Sequence, residues 1–352
     1  MLKISVPPIT SFEDLLLNLQ NAVRLEHATI PPYLTALYTL AGDSPSVEFA
    51  RSTIKSIVVE EMLHMSLASN LLNALGGHPQ INDAKFVAKY PGPLPMGVGD
   101  LTVPIAKYSQ ELVTNVFMEI EEPEFPIDIP LESAEAVDAH YETIGEFYTA
   151  IKNYILQHTT QADFKGDPSY QLTDWFDDGE LVKVTDAASA AAAIDTIIEQ
   201  GEGTAGKPVF EEGDVVEYAH YYKFEELSQG RKIVPADNDV GYAFSSKPED
   251  RIVIDPVSDV INMVDNPAEV DYSDNPRAVL LSDQCDYIYT KVLNGLHIAF
   301  NGAPDTMVNA LGTMFELKNS IGELLRVPLF EKDGRTVYAG PKYLFSETSP
   351  AS

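Results

Sequence analysis

Two tetrapeptides of the same design, Glu61-Met-Leu-His64 and Glu217-Tyr-Ala-His220, interrupt what would otherwise be continuous apolar helix stripes. In the first, Ile54, Ile57, Glu61, His64, Ala68, Leu71 and Leu75 follow steps of three and four residues and so share one helix face. A face of that composition must be buried, yet it carries a carboxylate and an imidazole. Leaving such groups without partners in an apolar core costs several kcal/mol each, and more if they are charged. A metal ion is the partner that suits both at once. The second tetrapeptide repeats the logic, continuing its stripe with Phe224 and Leu227.

The periodicity around them predicts four long helices. The first spans about 11–40, with Ser11 as N-cap and Leu15, Leu19, Ala22, Glu26, Ile30 and Tyr33 near one face. Pro31 and Pro32 fall inside it and predict a kink or break after Glu26. The second spans about 46–75 and stops at Gly76-Gly77; the short link makes the two an antiparallel hairpin. A proline- and glycine-rich crossover, about 78–130, holds one helical piece between Ser109 and Ile120. The third helix, about 133–157, carries Glu146, and the fourth, about 214–230, starts at Asp214 and carries the second tetrapeptide. Between them, 160–212 reads as an insertion with a short Ala-rich helix. Two further helices, about 278–300 and 304–325, brace the bundle, the latter packing through Val308, Leu311, Phe315 and Leu324.

Glu26, then Glu61 with His64, then Glu146, then Glu217 with His220 is the ligand order of a carboxylate-bridged dinuclear metal site in a four-helix bundle. Residues at i and i+3 stand side by side on one turn, so each Glu-x-x-His can offer an oxygen and a nitrogen to one small volume. On this reading Glu61 and Glu217 bridge the ions, Glu26 and Glu146 are terminal, and His64 and His220 bind one ion each. Glu60 is expected to face away, since it lies about 100° from Glu61 around the helix. His27 and Tyr33 are assigned to packing, and Glu119, Glu121 and Glu122 to a solvated cluster at a helix end.

With 352 residues, 45% of them hydrophobic, the chain can bury a large core, read here as a single domain. It holds 23 basic and 54 acidic residues, a formal net charge of −31, which repels nucleic acid and anionic lipid. No apolar run is long enough to span a bilayer and the N-terminus lacks a leader pattern, so a cytoplasmic protein is expected. One cysteine, Cys285, excludes a disulfide framework, so metal ligands must be nitrogen and oxygen. Two iron ions suit that donor set, and manganese or a mixed iron/manganese pair is compatible with it.

Several runs resemble a known family: Leu25-Glu26-His27-Ala28-Thr29-Ile30-Pro31-Pro32-Tyr33-Leu34, Glu60-Glu61-Met62-Leu63-His64 continuing to Asn70-Leu71-Leu72-Asn73-Ala74-Leu75-Gly76-Gly77, and Tyr90-Pro91-Gly92-Pro93-Leu94-Pro95. Phe117-Met118-Glu119-Ile120-Glu121, Gly145-Glu146-Phe147-Tyr148, Gln200-Gly201-Glu202-Gly203-Thr204 and His220-Tyr221-Tyr222-Lys223-Phe224 extend the match. Together they are similar to the ferritin-like domain of iminophenyl-pyruvate dimer synthases. The resemblance implies an all-α, ferritin-like four-helix bundle and an iron-dependent oxidative activity in secondary metabolism. Members acting in bisindole pigment pathways couple two molecules of an oxidised aromatic amino acid. The expected function is a di-iron oxidoreductase using dioxygen or peroxide on a small organic substrate, acting as a monomer or small homo-oligomer. An iron-handling or peroxide-detoxifying protein without an organic substrate is the alternative.

Overall fold

The structure, a computed structural model, describes residues 9–97, 101–123, 143–176, 180–203, 208–212 and 215–349. Helix α1, Phe12–Thr39, starts at Ser11, whose hydroxyl accepts from Asp14 N–H. It runs unbroken through Pro31 and Pro32, against the expected kink. A proline at 32 deprives the Ala28 carbonyl of its helical donor, and the buried Tyr90 hydroxyl supplies one instead at 2.6 Å. Helix α2, Pro45–Ala74, is capped by Ser44. It ends where Gly76, at φ +83°, lets Gly77 N–H return to the Leu72 carbonyl. The two helices pack as the antiparallel hairpin read from sequence.

Helix α3 runs from Gln110–Leu112 through a π-helical turn, Val113–Phe117, to Met118–Ile120. Helix α4, Ile144–His158, opens on a capping box between Thr143 and Glu146; the expected start at Ser133 lies outside the described residues. Helix α5 is Ala187–Glu202 and helix α6 is His220–Gln229. Helices α7, Pro276–Phe300, and α8, Met307–Leu324, form a second hairpin packed against the outer side of α1 and α2. The architecture is therefore the all-α bundle expected, with the bracing helices where the sequence put them.

The fourth bundle helix is not where the sequence put it. It is α5, the Ala-rich segment read as part of an insertion, which pairs with α4 and reaches α2. The segment expected to be helical from Asp214 instead forms an antiparallel hairpin of β1, Val209–Glu212, and β2, Val215–Tyr218, with Phe210 opposite Glu217. Val215 and Val216 are β-branched and favour the pleated conformation, and helix begins only at His220. Asp214 itself lies outside the described residues. On α8 two of the four expected packing positions hold, Leu324 being buried and Leu311 half-buried against the core, while Val308 and Phe315 are exposed and Met307, Ala310, Leu317 and Ile321 are buried instead. Two further hairpins, β3 (Ile233–Pro235) with β4 (Tyr242–Phe244) and β5 (Pro328–Lys332) with β6 (Arg335–Tyr338), clip the connections. Among the described residues no helix is long and apolar enough to cross a membrane.

Candidate metal centre

Five ionisable side chains converge inside the bundle: Glu26 from α1, Glu61 and His64 from α2, Glu121 just past α3, and His220 at the start of α6. Their exposures are 4%, 2%, 2%, 8% and 0%, so bulk water cannot stabilise their charges. The two imidazoles stack at 5.3 Å between ring centres. His64 Nδ1 lies 3.6 Å from Glu26 Oε2. His220 Nδ1 lies 3.1 Å from Glu61 Oε1 and 3.4 Å from Glu121 Oε2.

The outer atoms of each group are tied down. Nε2 of His64 meets Gln200 Oε1 at 2.8 Å, and Nε2 of His220 meets Glu60 Oε2 at 2.7 Å. With both outer nitrogens donating to these acceptors, each Nδ1 faces the carboxylates, where it can hold a proton or a cation. On the carboxylate side, Tyr148 donates its hydroxyl to Glu26 Oε1. Thr29 donates to Glu61 Oε2 at 2.6 Å and Tyr33 to Glu121 Oε1 at 2.5 Å. One oxygen of each carboxylate is therefore satisfied by a hydroxyl, and the other points inward. His220 Nδ1 is buried with no hydrogen-bond partner, an orphan that a cation would satisfy.

The electrostatics agree with that fit. Burial and then the neighbouring Glu121 push the Glu61 carboxyl up to about 7. Burial works against charge on His64 and His220 too, but Glu26 beside the first, and Glu121, Glu60 and Glu61 around the second, raise both. Without a cation the cluster offsets its carboxylates with protons, and binding a cation would release them. Glu60 is different: burial would raise it, yet the bonds from His220 and Lys223 outweigh this and hold it at about 2. A fixed carboxylate behind an imidazole raises its basicity and sets its tautomer.

Of the six residues singled out by sequence, four meet here: Glu26, Glu61, His64 and His220. Glu146 does not join them, because its carboxylate accepts Thr143 N–H in the capping box of α4. Glu217 sits on β2 with its side chain 40% exposed, ion-paired to Lys223 at 3.1 Å. Sequence reasoning missed Glu121, Glu60 and Gln200. Glu121 extends the stripe Val113, Phe117, Ile120, and Gln200 extends Ala190, Ala193, Ile197, so a polar residue on an apolar stripe marked both. Glu60 carries no such mark, since its role depends on where α6 docks. Tyr33, read as packing, is a hydrogen-bond donor to the site.

A narrow cleft of about 20 Å³ reaches the cluster beside Glu121 and Tyr148, walled by Ile120, Gly145, Ile197 and Gly201. The buried Glu61, His64 and His220 offer atoms within 4.8 Å of one another, a set suited to a metal ion. The chain is similar to dichlorochromopyrrolate synthase of Lentzea aerocolonigenes, with 23% identity over 97% of this chain, and spans 36% of that protein's length. It also shares its fold with the crystal structure of a ferritin-like protein from Caulobacter vibrioides, at a TM-score of 0.62 and 21% identity, over 97% of this chain and 100% of that one. Residues 19–229, well over half of the chain, match the family described as Ferritin-like, and the protein belongs to that family.

Proposed function

We propose that the protein is a non-haem di-iron carboxylate oxidoreductase that uses dioxygen or peroxide to oxidise a small organic molecule, in the cytoplasm and in secondary metabolism. One observation carries this reading: both imidazoles turn Nε2 outward to a fixed acceptor and present Nδ1 to inward-facing carboxylate oxygens. Glu26, Glu61, His64, Glu121 and His220 would together hold the ions. Glu121 then takes the place expected of Glu146 or Glu217. A pair of iron ions would supply redox electrons and open coordination positions for the oxidant.

The chain's own residues do the rest. Tyr148, Thr29 and Tyr33 hold the three carboxylates in orientation through their hydroxyls. Gln200 and Glu60 hold the outer nitrogens of the two imidazoles and so keep both inner nitrogens turned toward the carboxylates. Ile120, Ile144 and Ile197 give the cleft apolar walls, with room for about one water-sized molecule. The Lentzea relative, named for making a chromopyrrolate, supports an aromatic substrate, and the resemblance to iminophenyl-pyruvate dimer synthases an amino-acid-derived one. The cleft's small volume favours a second reading, in which the centre handles iron or consumes peroxide without an organic substrate.

Anaerobic loading with ferrous iron followed by metal analysis should give two ions per chain. Exposure to dioxygen should then consume it, and His64→Ala and His220→Ala should each abolish the uptake. Tight binding of fewer than one ion by the wild type would refute the centre. Sustained dioxygen uptake that no aromatic amine or keto acid alters would favour the second reading.

A further inference from the structure

A cavity of about 270 Å³ lies on the far side of the α1–α2 pair from the Glu/His cluster, enclosed by the α7–α8 hairpin. His27 and Met62 line it, and each follows a residue of the cluster by one position, about 100° further round its helix. Backbone of α1 and α2 therefore separates the two spaces. The cavity is near the lower size of ordinary ligand pockets, roughly 300 Å³.

Its wall has a definite chemistry. No Asp, Glu, Lys or Arg is among the described residues lining it, so a charged molecule would lose its hydration with nothing in return. Tyr289, Phe300, Tyr343 and Phe176 supply aromatic faces and edges. Met62, Met65, Met307 and Met314, half of the chain's 8 methionines, supply flexible, polarisable surface that favours contact with rings. Among the polar groups of the wall, His27 is buried and its Nε2 is engaged with the Tyr289 hydroxyl at 2.9 Å, while its Nδ1 has no partner. At the opening stand Val59 and Trp175, 44% and 45% exposed. Trp175 holds φ at +92°, a conformation that costs a non-glycine residue energy and persists only where surroundings impose it.

We propose that this cavity is a second ligand site, separate from the metal centre, for an uncharged, mainly aromatic molecule whose single hydrogen-bonding group pairs with His27. A tightly packed core would close such a space with larger side chains; an apolar void leaves its lining atoms without contacts. The proposal does not depend on the metal reading.

Trp175 is the chain's single tryptophan, so its emission reports on the opening alone. The probe is N-phenyl-1-naphthylamine, a neutral diarylamine that absorbs where tryptophan emits. Full-length protein should bind about one probe per chain, saturably, with quenching of Trp175. Leu311→Phe and Met314→Phe, which fill the space, should each weaken binding about tenfold. His64→Ala, which breaks the metal centre, should leave probe affinity unchanged. In displacement, 1-naphthol should compete better than naphthalene, and His27→Leu should erase that preference. Absence of saturable binding by folded wild type would overturn the proposal. So would unchanged affinity in both filled variants, read alongside circular dichroism to confirm their fold, or loss of probe binding in folded His64→Ala.

Discussion

Replacing Glu121 with Gln tests the centre most sharply, because the sequence assigned its place to other residues. Glu121 is 8% exposed, its Oε1 takes the Tyr33 hydroxyl at 2.5 Å, and its Oε2 stands 3.4 Å from His220 Nδ1. Glutamine keeps the shape and can still accept from Tyr33, so the substitution removes charge and little else. Glu26, Glu61 and Glu121 would set three negative charges against the four positive charges of two divalent ions. Glu121→Gln leaves two. One more buried unit of uncompensated charge costs on the order of 3–4 kcal/mol, which is roughly 10²–10³ in the affinity of one ion. Glu217→Gln, by contrast, breaks a partly exposed pair with Lys223, worth at most about 1 kcal/mol after solvent screening, and Lys223 retains Glu60. Glu146→Gln keeps a residue type that completes a capping box. Metal analysis after anaerobic loading and gel filtration should therefore find one ion lost in Glu121→Gln and none in the other two. Retention of both ions by Glu121→Gln, with loss in Glu217→Gln, would show that the centre closes differently.

Gln200→Leu removes the acceptor for His64 Nε2 and should lower metal affinity about 10–100-fold by calorimetric titration; full affinity would mean the outer contact is idle. Asp286, buried on α7, is pushed up to about 7 by burial, with Asp283 adding to the rise against Leu344 N–H and Lys342. The folded state keeps a proton that the unfolded chain gives up from the ordinary value of 3.8, so stability falls as pH rises between those values, by up to about 1.4 kcal/mol per unit. Asp286→Asn should flatten the decline in denaturation midpoint between about pH 5 and 7, and an unchanged slope would contradict it. Gly166→Ala would set a Cβ 1.7 Å from the Asn73 carbonyl oxygen at the end of α2, where Gly166 N–H already bonds Ala74. It should cost more than about 3 kcal/mol in guanidinium unfolding; a loss under about 1 kcal/mol would mean the loop moves aside freely.

The parts of the fold that local physics decides were readable. Ser11 and Gly76-Gly77 bound the first hairpin because a side-chain acceptor and a left-handed residue act within a turn of the helix they close. Glu26, Glu61 and His64 were readable because their own helices bury the stripes they interrupt. What failed was the assumption that the second Glu-x-x-His lies on a helix. Spacing by three residues brings two side chains together only in helical backbone. The chain is a strand at Glu217 and a helix from His220, so the spacing delivers the histidine and leaves the glutamate with Lys223. Its place is taken by Glu121, which no local spacing links to His220. The π-helical turn Val113–Phe117 widens α3 just ahead of that residue, and Thr114 from the same turn bonds Ser228 on α6 at 2.7 Å. Docking of α3 on α6 thus sets both Glu121 and His220. The Glu60 carboxylate then locks the histidine from behind, 160 residues away along the chain. A site completed by such contacts becomes legible only once the helices are in place.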